Sequence, residues 1–394
     1  MIKLNKILLH TEVQQFIHDH LQKDLPSLIL KGSPFKDISI QELAEQILSK
    51  SKCQIKLPTW FQTKGIYYPK PVSIEQTSSE ITAGYKSTLI GGNTLIDLTG
   101  GFGVDSYYFS KKINKVIHCE IDKDLSEIAK YNFRVLEAYN TECREEDGIE
   151  LLNNEKIHYD WIYIDPSRRS ASRAKVFKLE DCLPDVSLHL DLFLQRSTSI
   201  MIKLSPFLDI SSTVNSLKFV KEIHIVAVKN EVKELILLIE KDYLGPTILK
   251  AVHIVKKMPQ IFEGSFPSRA EATYSLAKKY LYEPNSAILK SGLFNEVSSQ
   301  LEVCKLHVNS HLYTSDEIKW FPGRRFEIQS VIKYNKKLIK KTFGFKKANI
   351  TVRNFYESVA QIRKKTGLKE GGDDYLFFTT DLQDKAIVIH CKKV

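Results

Sequence analysis

The chain has 394 residues, of which 43% are hydrophobic and 26% are charged, proportions that are typical of soluble globular proteins. This length predicts about two to four domains. The longest apolar runs, such as Leu235 to Ile239, are far too short to cross a bilayer, and the polar start of the chain does not resemble a secretory leader. We therefore expect a cytoplasmic protein without a membrane partner.

The positive charge of the chain is concentrated in its last segment. The whole chain carries a net charge of +10, and residues 321–394 contain 17 Lys and Arg against 7 Asp and Glu. This segment therefore accounts for the entire excess. A basic surface can simply be solvated, but its concentration in one segment favours a polyanion-binding module.

The cysteines do not indicate a metal site. Six of them are scattered along the sequence without a Cys-x-x-Cys pair and without histidines at metal-ligand spacing. We expect them to be reduced and mostly structural, and we expect no metal ion.

The amino-terminal residues predict a small helical domain, which we place at residues 1–72. Apolar residues recur at helical spacing from Val13 to Leu21 and from Ile40 to Leu48. Asp37 or Ser39 can cap the second of these helices. A further helix then leads into the next domain.

Strands alternate with helices in residues 73–242. The predicted strands are Leu95 to Leu98, Lys115 to Ile121, Trp161 to Ile164, Ser199 to Leu204, Ile223 to Val228 and Glu234 to Ile239. Such alternation is typical of a mostly parallel sheet with helices on both faces. Lys229 to Lys233 is too short for a helical crossover, so the last two strands must form an antiparallel hairpin.

Two smaller α+β segments follow. In residues 243–320, the pattern predicts a strand at Thr247 to Val255, a helix at Ser268 to Tyr282 and a later helix that follows a turn. Residues 321–394 have the order strand, helix, strand, helix, strand, strand. They predict a compact and basic terminal domain.

The run TLIDLTGGFGVD, residues 94–105, connects the first strand to a helix through glycines. Gly101 and Gly103 allow a ligand to approach the backbone closely, because a Cβ would block that approach. Such a turn is also found as a simple tight connection. It therefore indicates a nucleotide cradle only together with residues from elsewhere in the chain.

Four carboxylates supply that support. Asp97 ends the first predicted strand, Glu120 the second, Asp147 a third and Asp165 the fourth, and the carboxyl ends of parallel strands share one ligand-binding edge. Asp97 can orient the glycine loop, Glu120 can accept both ribose hydroxyls, and Asp147 can hold an adenine amino group. Each acid alone could equally cap a helix, but their regular placement favours a nucleoside site.

These features together resemble class I S-adenosylmethionine-dependent methyltransferases. A dinucleotide-binding fold would need a third glycine where Ser106 stands. The resemblance rests on DLTGGFG, on Glu120 in VIHCEID, on Asp147 and on the Asp-Pro pair at Asp165, and it covers about residues 75–241. It implies an α/β fold with a Rossmann-like, seven-stranded sheet that ends in an antiparallel hairpin.

Further motifs are similar to a bacterial subgroup of these enzymes. The motifs are EQTSSEITAGYK, DPSRR, KLSP, RNF and GGDDYLFFTT. Members of the subgroup carry a ferredoxin-like insert and a carboxyl-terminal THUMP-like domain, and they are described as RNA methyltransferases. The resemblance implies a ferredoxin-like domain in residues 243–320, a THUMP-like domain in residues 321–394 and RNA as a partner.

The resemblance also implies S-adenosyl-L-methionine as the cofactor. The loop from Asp97 to Gly103 would hold its methionine side, Glu120 its ribose and Asp147 its adenine. The implied cofactor-binding residues are Asp97, Thr99, Gly100, Gly101, Gly103, Glu120, Ile121, Asp147, Gly148 and Asp165.

The residues expected on the acceptor side are Asp165, Pro166, Arg168 and Lys203. In amino-directed nucleic-acid methyltransferases, a second proline and an aromatic ring follow the Asp-Pro pair. This chain has Ser167 and Arg168 instead, which argues against an exocyclic amine as the target.

Two roles are open for the arginines of this motif. Arg168 and Arg169 can clamp a phosphate or carboxylate, or they can pair with Glu180 or Asp181. Lys203, at the end of the fifth strand, can add positive potential at the same edge. A cysteine nucleophile is not expected, since Cys182 lies well beyond the Asp-Pro pair.

The sequence thus predicts an RNA methyltransferase in which the basic terminal domain binds the phosphate backbone. A small-molecule or protein methyltransferase, or a donor-binding protein without turnover, is the alternative. No sequence feature indicates an oligomeric state.

Overall fold

The structure is a computed structural model that describes residues 4–168, 179–256, 258–344 and 347–394. The described helices are α1 (Thr11–Asp19), α2 (Leu25–Lys31), α3 (Ile40–Lys56), α4 (Pro58–Gln62), α5 (Pro71–Gln76), α6 (Glu80–Ser87), α7 (Val104–Ser110), α8 (Lys123–Val135), α9 (Gly148–Asn154), α10 (Val186–Arg196), α11 (Ile210–Asn215), α12 (Ser286–Ser291), α13 (Phe294–Leu301), α14 (Lys336–Thr342) and α15 (Val359–Thr366). The described strands are β1 (Thr94–Asp97), β2 (Lys115–Cys119), β3 (Thr141–Arg144), β4 (Tyr159–Ile164), β5 (Ser167–Arg168), β6 (Cys182–Leu183), β7 (Ser197–Leu204), β8 (Val220–Val228), β9 (Glu231–Glu240), β10 (Thr247–Val255), β11 (Met258–Phe266), β12 (Tyr280–Pro284), β13 (Cys304–Lys305), β14 (Tyr313–Ser315), β15 (Gly323–Lys333), β16 (Asn349–Arg353), β17 (Asp374–Thr380) and β18 (Ala386–Lys393).

The chain divides into two compact units. The first comprises Met1–Val220 and Leu237–Tyr243, and the second comprises Lys221–Ile236 and Leu244–Val394. None of the described helices has the length and apolar character that a membrane crossing needs.

The larger sheet has nine strands in the order β11-β10-β8-β9-β7-β4-β1-β2-β3. Parallel pairing joins β3 to β2, β2 to β1, β1 to β4 and β4 to β7. Seven neighbouring strands of this sheet, β3, β2, β1, β4, β7, β9 and β8, form the Rossmann-like sheet that the sequence predicted. The predicted fold class is therefore confirmed. The apolar residues of β4 and β8 are mostly buried, as expected for a sheet that is covered on both faces.

The predicted terminal hairpin is formed by β8 and β9. Only Lys229 and Asn230 separate these strands, and their φ angles are 51° and 61°. Two consecutive left-handed residues match the twist of an antiparallel hairpin. The hairpin is therefore confirmed, with a shorter turn than the sequence indicated.

Two strands extend this sheet beyond the predicted seven. β10 pairs in parallel with β8, and β11 pairs antiparallel with β10. Lys250 on β10 lies 2.9 Å from the carboxylate of Glu222 on β8, which also bonds His224 at 2.8 Å. The strand predicted at Thr247 to Val255 is thus present, but it joins the first sheet and not a separate one. The predicted domain boundaries themselves stay a prediction.

The amino-terminal helices pack through their apolar faces. Leu43 and Ile47 of α3 are buried in this helical core. At the start of α3, the Ser39 hydroxyl accepts a hydrogen bond from the Glu42 backbone N–H at 3.2 Å, and the Glu42 carboxylate accepts one from Ser39 N–H at 2.9 Å. This reciprocal capping box begins the helix. Of the two predicted caps, Ser39 is the one that the chain uses.

The second large sheet has the order β13-β14-β12-β15-β18-β17-β16. The six elements predicted for the basic segment are present as β15, α14, β16, α15, β17 and β18. The sheet continues through β12, β14 and β13, so the terminal segment does not form a sheet of its own.

The helix predicted at Ser268 to Tyr282 is wrong. Most of this segment is irregular, and its end begins β12, which pairs with β14 and β15. Lys305 N–H donates to the Thr273 carbonyl at 2.8 Å, and Ser275 N–H donates to the Lys305 carbonyl at 3.1 Å. These long-range backbone bonds override the local helix propensity.

Candidate active site

The glycine loop follows β1 and is organised by the Asp97 carboxylate. Asp97 is 1% exposed, and its oxygens accept hydrogen bonds from Thr99 N–H at 3.0 Å and from the Ser106 hydroxyl at 2.6 Å. Burial raises the pKa of Asp97 to about 7, although the hydrogen bonds from Ser106 and Thr99 oppose the rise. This carboxylate therefore links the end of the strand to the first turn of α7.

Two glycines let the loop lie directly on its neighbours. A Cβ on Gly100 would lie 2.3 Å from Nε2 of His118, and a Cβ on Gly103 would lie 2.5 Å from the Phe133 ring. Gly103 also has a left-handed φ of 83°, which glycine adopts without steric cost. The loop is therefore packed tightly on β2 and α8.

His118 lies beneath this loop and is fully buried. Burial lowers the pKa of His118 to about 4, so the ring is neutral at physiological pH. The neutral ring supports the glycine loop at Gly100.

Glu120 joins the glycine loop to the turn after β2. One carboxylate oxygen accepts a hydrogen bond from Gly101 N–H at 2.8 Å, and the other accepts one from Asp122 N–H at 2.8 Å. The next residue, Ile121, is 67% exposed. A fixed carboxylate and an uncovered apolar side chain thus lie side by side at the carboxyl edge of the sheet.

Asp147 does not end a strand, which corrects the sequence interpretation. β3 ends at Arg144, and Asp147 lies in the following turn as the cap of α9. Its Oδ1 accepts a hydrogen bond from Ile149 N–H at 2.7 Å. The adjacent Gly148 is buried, and a Cβ there would lie 2.8 Å from Cα of Leu98. Asp147 and Gly148 are therefore held against the end of β1.

Asp165 and Lys203 meet at the ends of β4 and β7. The Lys203 ammonium donates a hydrogen bond to the Asp165 carboxylate and forms an ion pair with it. The Asp165 backbone N–H donates to the Thr99 hydroxyl at 2.7 Å. This bond ties Asp165 to the glycine loop, and Pro166 follows Asp165 as a partly buried residue.

The arginine motif lies largely outside the described residues. The backbone of Ser167 and Arg168 forms β5, which pairs antiparallel with β6. The Arg168 side chain and the whole of Arg169 are outside the described part of the chain, so the predicted clamp stays a prediction. Cys182, on β6, is buried. Within the described residues, no group of three or more His, Cys, Asp or Glu side chains is arranged to hold a metal ion.

A buried ion pair, which the sequence reasoning missed, lies beneath these acids. Lys86 of α6 is 0% exposed and lies 3.1 Å from the Asp105 carboxylate of α7. Ser78 and Tyr163 donate hydrogen bonds to the same carboxylate at 2.7 and 2.8 Å. Burial alone would raise the pKa of Asp105, but the charges of Lys86 and Lys203 and these hydrogen bonds bring it below its usual value.

A solved structure matches this chain along its whole length. The crystal structure of a "putative methyltransferase" from Porphyromonas gingivalis W83 covers 100% of this chain and 100% of its own, with 30% sequence identity and a TM-score of 0.88. The present chain belongs to this methyltransferase family.

Family models for two domains match the later part of this methyltransferase. A ferredoxin-like domain matches residues 280–322, and a THUMP domain-like model matches residues 323–393. With the whole-chain match, they confirm the resemblance to the methyltransferase subgroup that carries these two domains.

Smaller methyltransferases match part of the chain. An rRNA methylase from Streptococcus thermophilus covers 41% of this chain and 94% of its own, with 13% identity and a TM-score of 0.31. TrmK from M. capricolum, in complex with S-adenosyl-homocysteine, covers 41% and 68%, with 13% identity and a TM-score of 0.30. No curated protein gives a significant match.

Two residues of the site, Lys86 and Ser106, escaped the sequence reasoning. Lys86 precedes β1 in a helix, where nothing local marks it as buried. Ser106 was considered only as a missing glycine, although its hydroxyl bonds Asp97.

Proposed function

We propose that this family member is an S-adenosyl-L-methionine-dependent class I methyltransferase that acts on RNA. The observation that carries the proposal is the Glu120 carboxylate, fixed by Gly101 N–H and Asp122 N–H at the carboxyl edge of a methyltransferase sheet. Ligands bind at this edge in open α/β folds.

The residues at this edge fit the chemistry of a nucleoside donor. Each Glu120 oxygen accepts one backbone hydrogen bond, and a carboxylate has about four acceptor positions in all, so two ribose hydroxyls can still be accepted. Ile121 offers an exposed apolar surface to an adenine ring. Asp147 uses Oδ1 to cap α9 and has no other partner within the described residues, so its second oxygen can receive an amino group.

The acceptor side is proposed at Asp165 and Lys203. A sulfonium donor supplies an electrophilic methyl group, so the protein must mainly align a nucleophile and receive one proton. The Lys203 ammonium holds the Asp165 carboxylate, and Thr99 fixes the Asp165 backbone. Asp165 can then orient the attacking group by accepting its hydrogen bond, without a change in its own position.

RNA is proposed as the acceptor because of the charge of the second unit. The whole positive excess of the chain lies in residues 321–394, and residues 323–393 match the THUMP domain-like model. Basic groups that neutralise phosphates make the binding affinity depend on salt. On single strands, the logarithm of the affinity falls with the logarithm of the salt concentration, with a slope of about −0.7 per neutralised phosphate. Binding to RNA should therefore weaken steeply with added salt.

The experiment that tests this function compares cells with and without the gene. Modified nucleosides of each RNA class are measured by mass spectrometry, and the purified protein is then given labelled donor with bulk RNA from the deletion strain. Methyl incorporation into RNA is expected. Incorporation only into protein or metabolite fractions, or donor binding without transfer, would contradict the RNA assignment.

A variant at Asp165 separates binding from transfer. Asp165→Ala should leave donor affinity nearly unchanged and lower the transfer rate by at least about tenfold, because the aligned acceptor is lost. The matched control is Asp191→Ala, whose side chain is 80% exposed on α10 and whose loss should change neither quantity. Calorimetry and a transfer assay give the two readouts, and equal loss of both in Asp165→Ala would assign Asp165 a structural role.

A further inference from the structure

A stacked pair of aromatic rings lies between β16 and α15 in the second unit. The rings of Phe355 and Tyr356 have a centroid distance of 4.6 Å and an angle of 22°. Phe355 is partly buried, whereas Tyr356 is 71% exposed. One face of the Tyr356 ring therefore rests on Phe355, and the other face is open to solvent.

The pair is supported from beneath by further rings. The Phe355 ring lies 5.7 Å from the ring of Phe378, which is fully buried in β17. Tyr334 meets the rings of Phe355, Tyr356 and Phe378 edge-on, at centroid distances of 5.0 to 5.9 Å. Aromatic pairs favour edge-to-face and offset-stacked arrangements. Tyr356 is thus the outer member of a packed aromatic cluster and not an isolated surface residue.

The backbone that leads into the pair is fixed by a turn at Asn354. This residue has a left-handed φ of 48°, which asparagine adopts more readily than most residues. The Thr380 hydroxyl donates a hydrogen bond to the Asn354 carbonyl at 2.8 Å, and the Asn354 amide donates to Nδ1 of His307 at 3.0 Å. The position of the aromatic pair is therefore set before any ligand binds.

The chain that leaves the pair is fixed as well. The Tyr334 hydroxyl donates to the Glu357 carboxylate at 2.8 Å, and the Lys365 ammonium lies 2.8 Å from the same carboxylate oxygen. Ser358 then begins α15 with a capping box that includes Gln361. Because the ring is held from both sides, a ligand that binds to it loses little affinity to the ordering of the chain.

Exposed lysines lie close to members of this cluster. Lys365, which is joined to Tyr334 through Glu357, is 49% exposed, and Lys364 is its exposed neighbour in the last turn of α15. Lys336 and Lys337 are exposed in the first turn of α14, directly after Tyr334 and its neighbour in the chain. A flat open ring with nearby cations matches the bases and the phosphates of a single-stranded nucleic acid.

We propose that Tyr356 is a stacking platform for one base of single-stranded RNA. The base lies on the open face of the ring and continues the stack of Phe355 and Tyr356, while its neighbouring phosphates are attracted by the lysines of α14 and α15. Every base has a π-face, so the platform accepts any unpaired base. The inference rests on the proposed function in naming RNA as the ligand. The platform itself needs neither the donor nor methyl transfer.

The test measures RNA binding to the full-length protein by fluorescence anisotropy. Tyr356→Ala should weaken the binding of a labelled single-stranded oligouridylate by roughly tenfold, because one stacking contact is lost. Tyr356→Phe keeps the ring and should bind within about twofold of the wild type. Unchanged affinity in Tyr356→Ala, or a wild-type protein that does not bind the single strand, would overturn the platform.

A second exposed tyrosine gives a matched control. Tyr139 is 77% exposed in the turn between α8 and β3, and Tyr139→Ala should leave the affinity for the oligouridylate unchanged. Equal losses in Tyr139→Ala and Tyr356→Ala would reduce the effect to a general property of exposed rings and overturn the platform. Duplex RNA keeps its bases paired and is bound mainly through its shape and its phosphates, so Tyr356→Ala should not change its affinity.

An abasic oligonucleotide tests the contact between the base and the ring without relying on a variant alone. It keeps the phosphates of the single strand but offers no base to stack, so it should bind the wild type roughly tenfold more weakly than the oligouridylate. In Tyr356→Ala, this difference should largely disappear, as a double-mutant cycle measures. Strictly additive losses would show that Tyr356 does not contact a base, and would overturn the platform.

The salt dependence separates stacking from charge. Stacking releases no counterions, so Tyr356→Ala should lower the affinity at every salt concentration and leave the salt slope unchanged. A slope that becomes shallower by about 0.7 would show the loss of one phosphate contact, and it would overturn stacking as the role of Tyr356.

The platform and the proposed function can fail separately. If the single strand stacks on Tyr356 but no RNA is methylated, the proposed function fails and the platform stands. If RNA is methylated but Tyr356→Ala binds the oligouridylate as the wild type does, the platform fails and the proposed function stands.

Discussion

The proposed donor half and the proposed acceptor half of the candidate active site hold their acids in different ways. Glu120 and Asp147 are fixed by backbone N–H groups of their own turns and of the glycine loop. Asp105 and Asp165 are fixed by the side chains of Lys86 and Lys203. The donor half is thus built by the local path of the chain after each strand, whereas the acceptor half depends on charges that other elements bring in.

The largest effect is expected where the acceptor half is broken at its buried pair. Lys86→Met would break the buried ion pair with Asp105, at a cost of about 3 to 5 kcal/mol in the free energy of unfolding. Urea unfolding measures it. The matched control is Lys52→Met, which breaks the solvent-exposed pair with Glu75 and should cost far less. Similar losses of unfolding free energy in the two variants would mean that the buried pair stabilises the fold no more than the exposed pair does.

The donor half should be most sensitive to added volume under the glycine loop. In Gly100→Ala, the new Cβ would collide with Nε2 of His118, so the loop must move and donor affinity should fall by roughly tenfold or more. Gly91→Ala adds the same methyl group where no atom lies within 4 Å, and it should leave donor affinity unchanged.

A double variant isolates the cause of this loss. Removing the ring in His118→Ala should restore part of the donor affinity lost in Gly100→Ala, which a double-mutant cycle measures. A strictly additive double variant would show that the contact between residue 100 and the His118 ring is not the cause.

The smallest effect concerns the pH dependence at Asp97, where the two halves meet. Since burial raises the pKa of Asp97 from 3.8 to about 7, its contribution to folding stability is fully present below about pH 4 and is lost as the pH rises through 7. A cationic donor favours the ionised carboxylate, so donor affinity should rise roughly two- to fivefold between pH 6 and pH 8. Asp97→Asn should flatten the pH profile of folding stability and the pH profile of donor affinity. Wild-type and variant pH profiles of the same slope would refute the assignment of this pH dependence to Asp97.

The sequence predicted the carboxyl edge of the sheet better than the buried ion pair between Lys86 and Asp105, for a physical reason. Strand periodicity and glycine turns are local, so the edge that carries Asp97, Glu120 and Asp165 followed from chain order. The burial of Lys86 did not follow from the sequence, because its partner Asp105 belongs to a different helix. The contact between them depends on how α6 packs. The strand at Thr247 to Val255 was predicted, but its neighbour in the sheet was not, since pairing between distant strands leaves no local pattern. The helix prediction for Ser268 to Tyr282 was wrong for the same reason.

The central claim is that the fixed Glu120 carboxylate binds the donor. Titration calorimetry of S-adenosyl-L-methionine into the wild-type protein and into Glu120→Ala tests it directly. One donor per chain should bind to the wild type, and the variant should lose roughly 1.5 to 3 kcal/mol of binding free energy, because the donor hydroxyls lose a charged acceptor. Unchanged donor affinity in Glu120→Ala would contradict the assignment of this edge as the donor site.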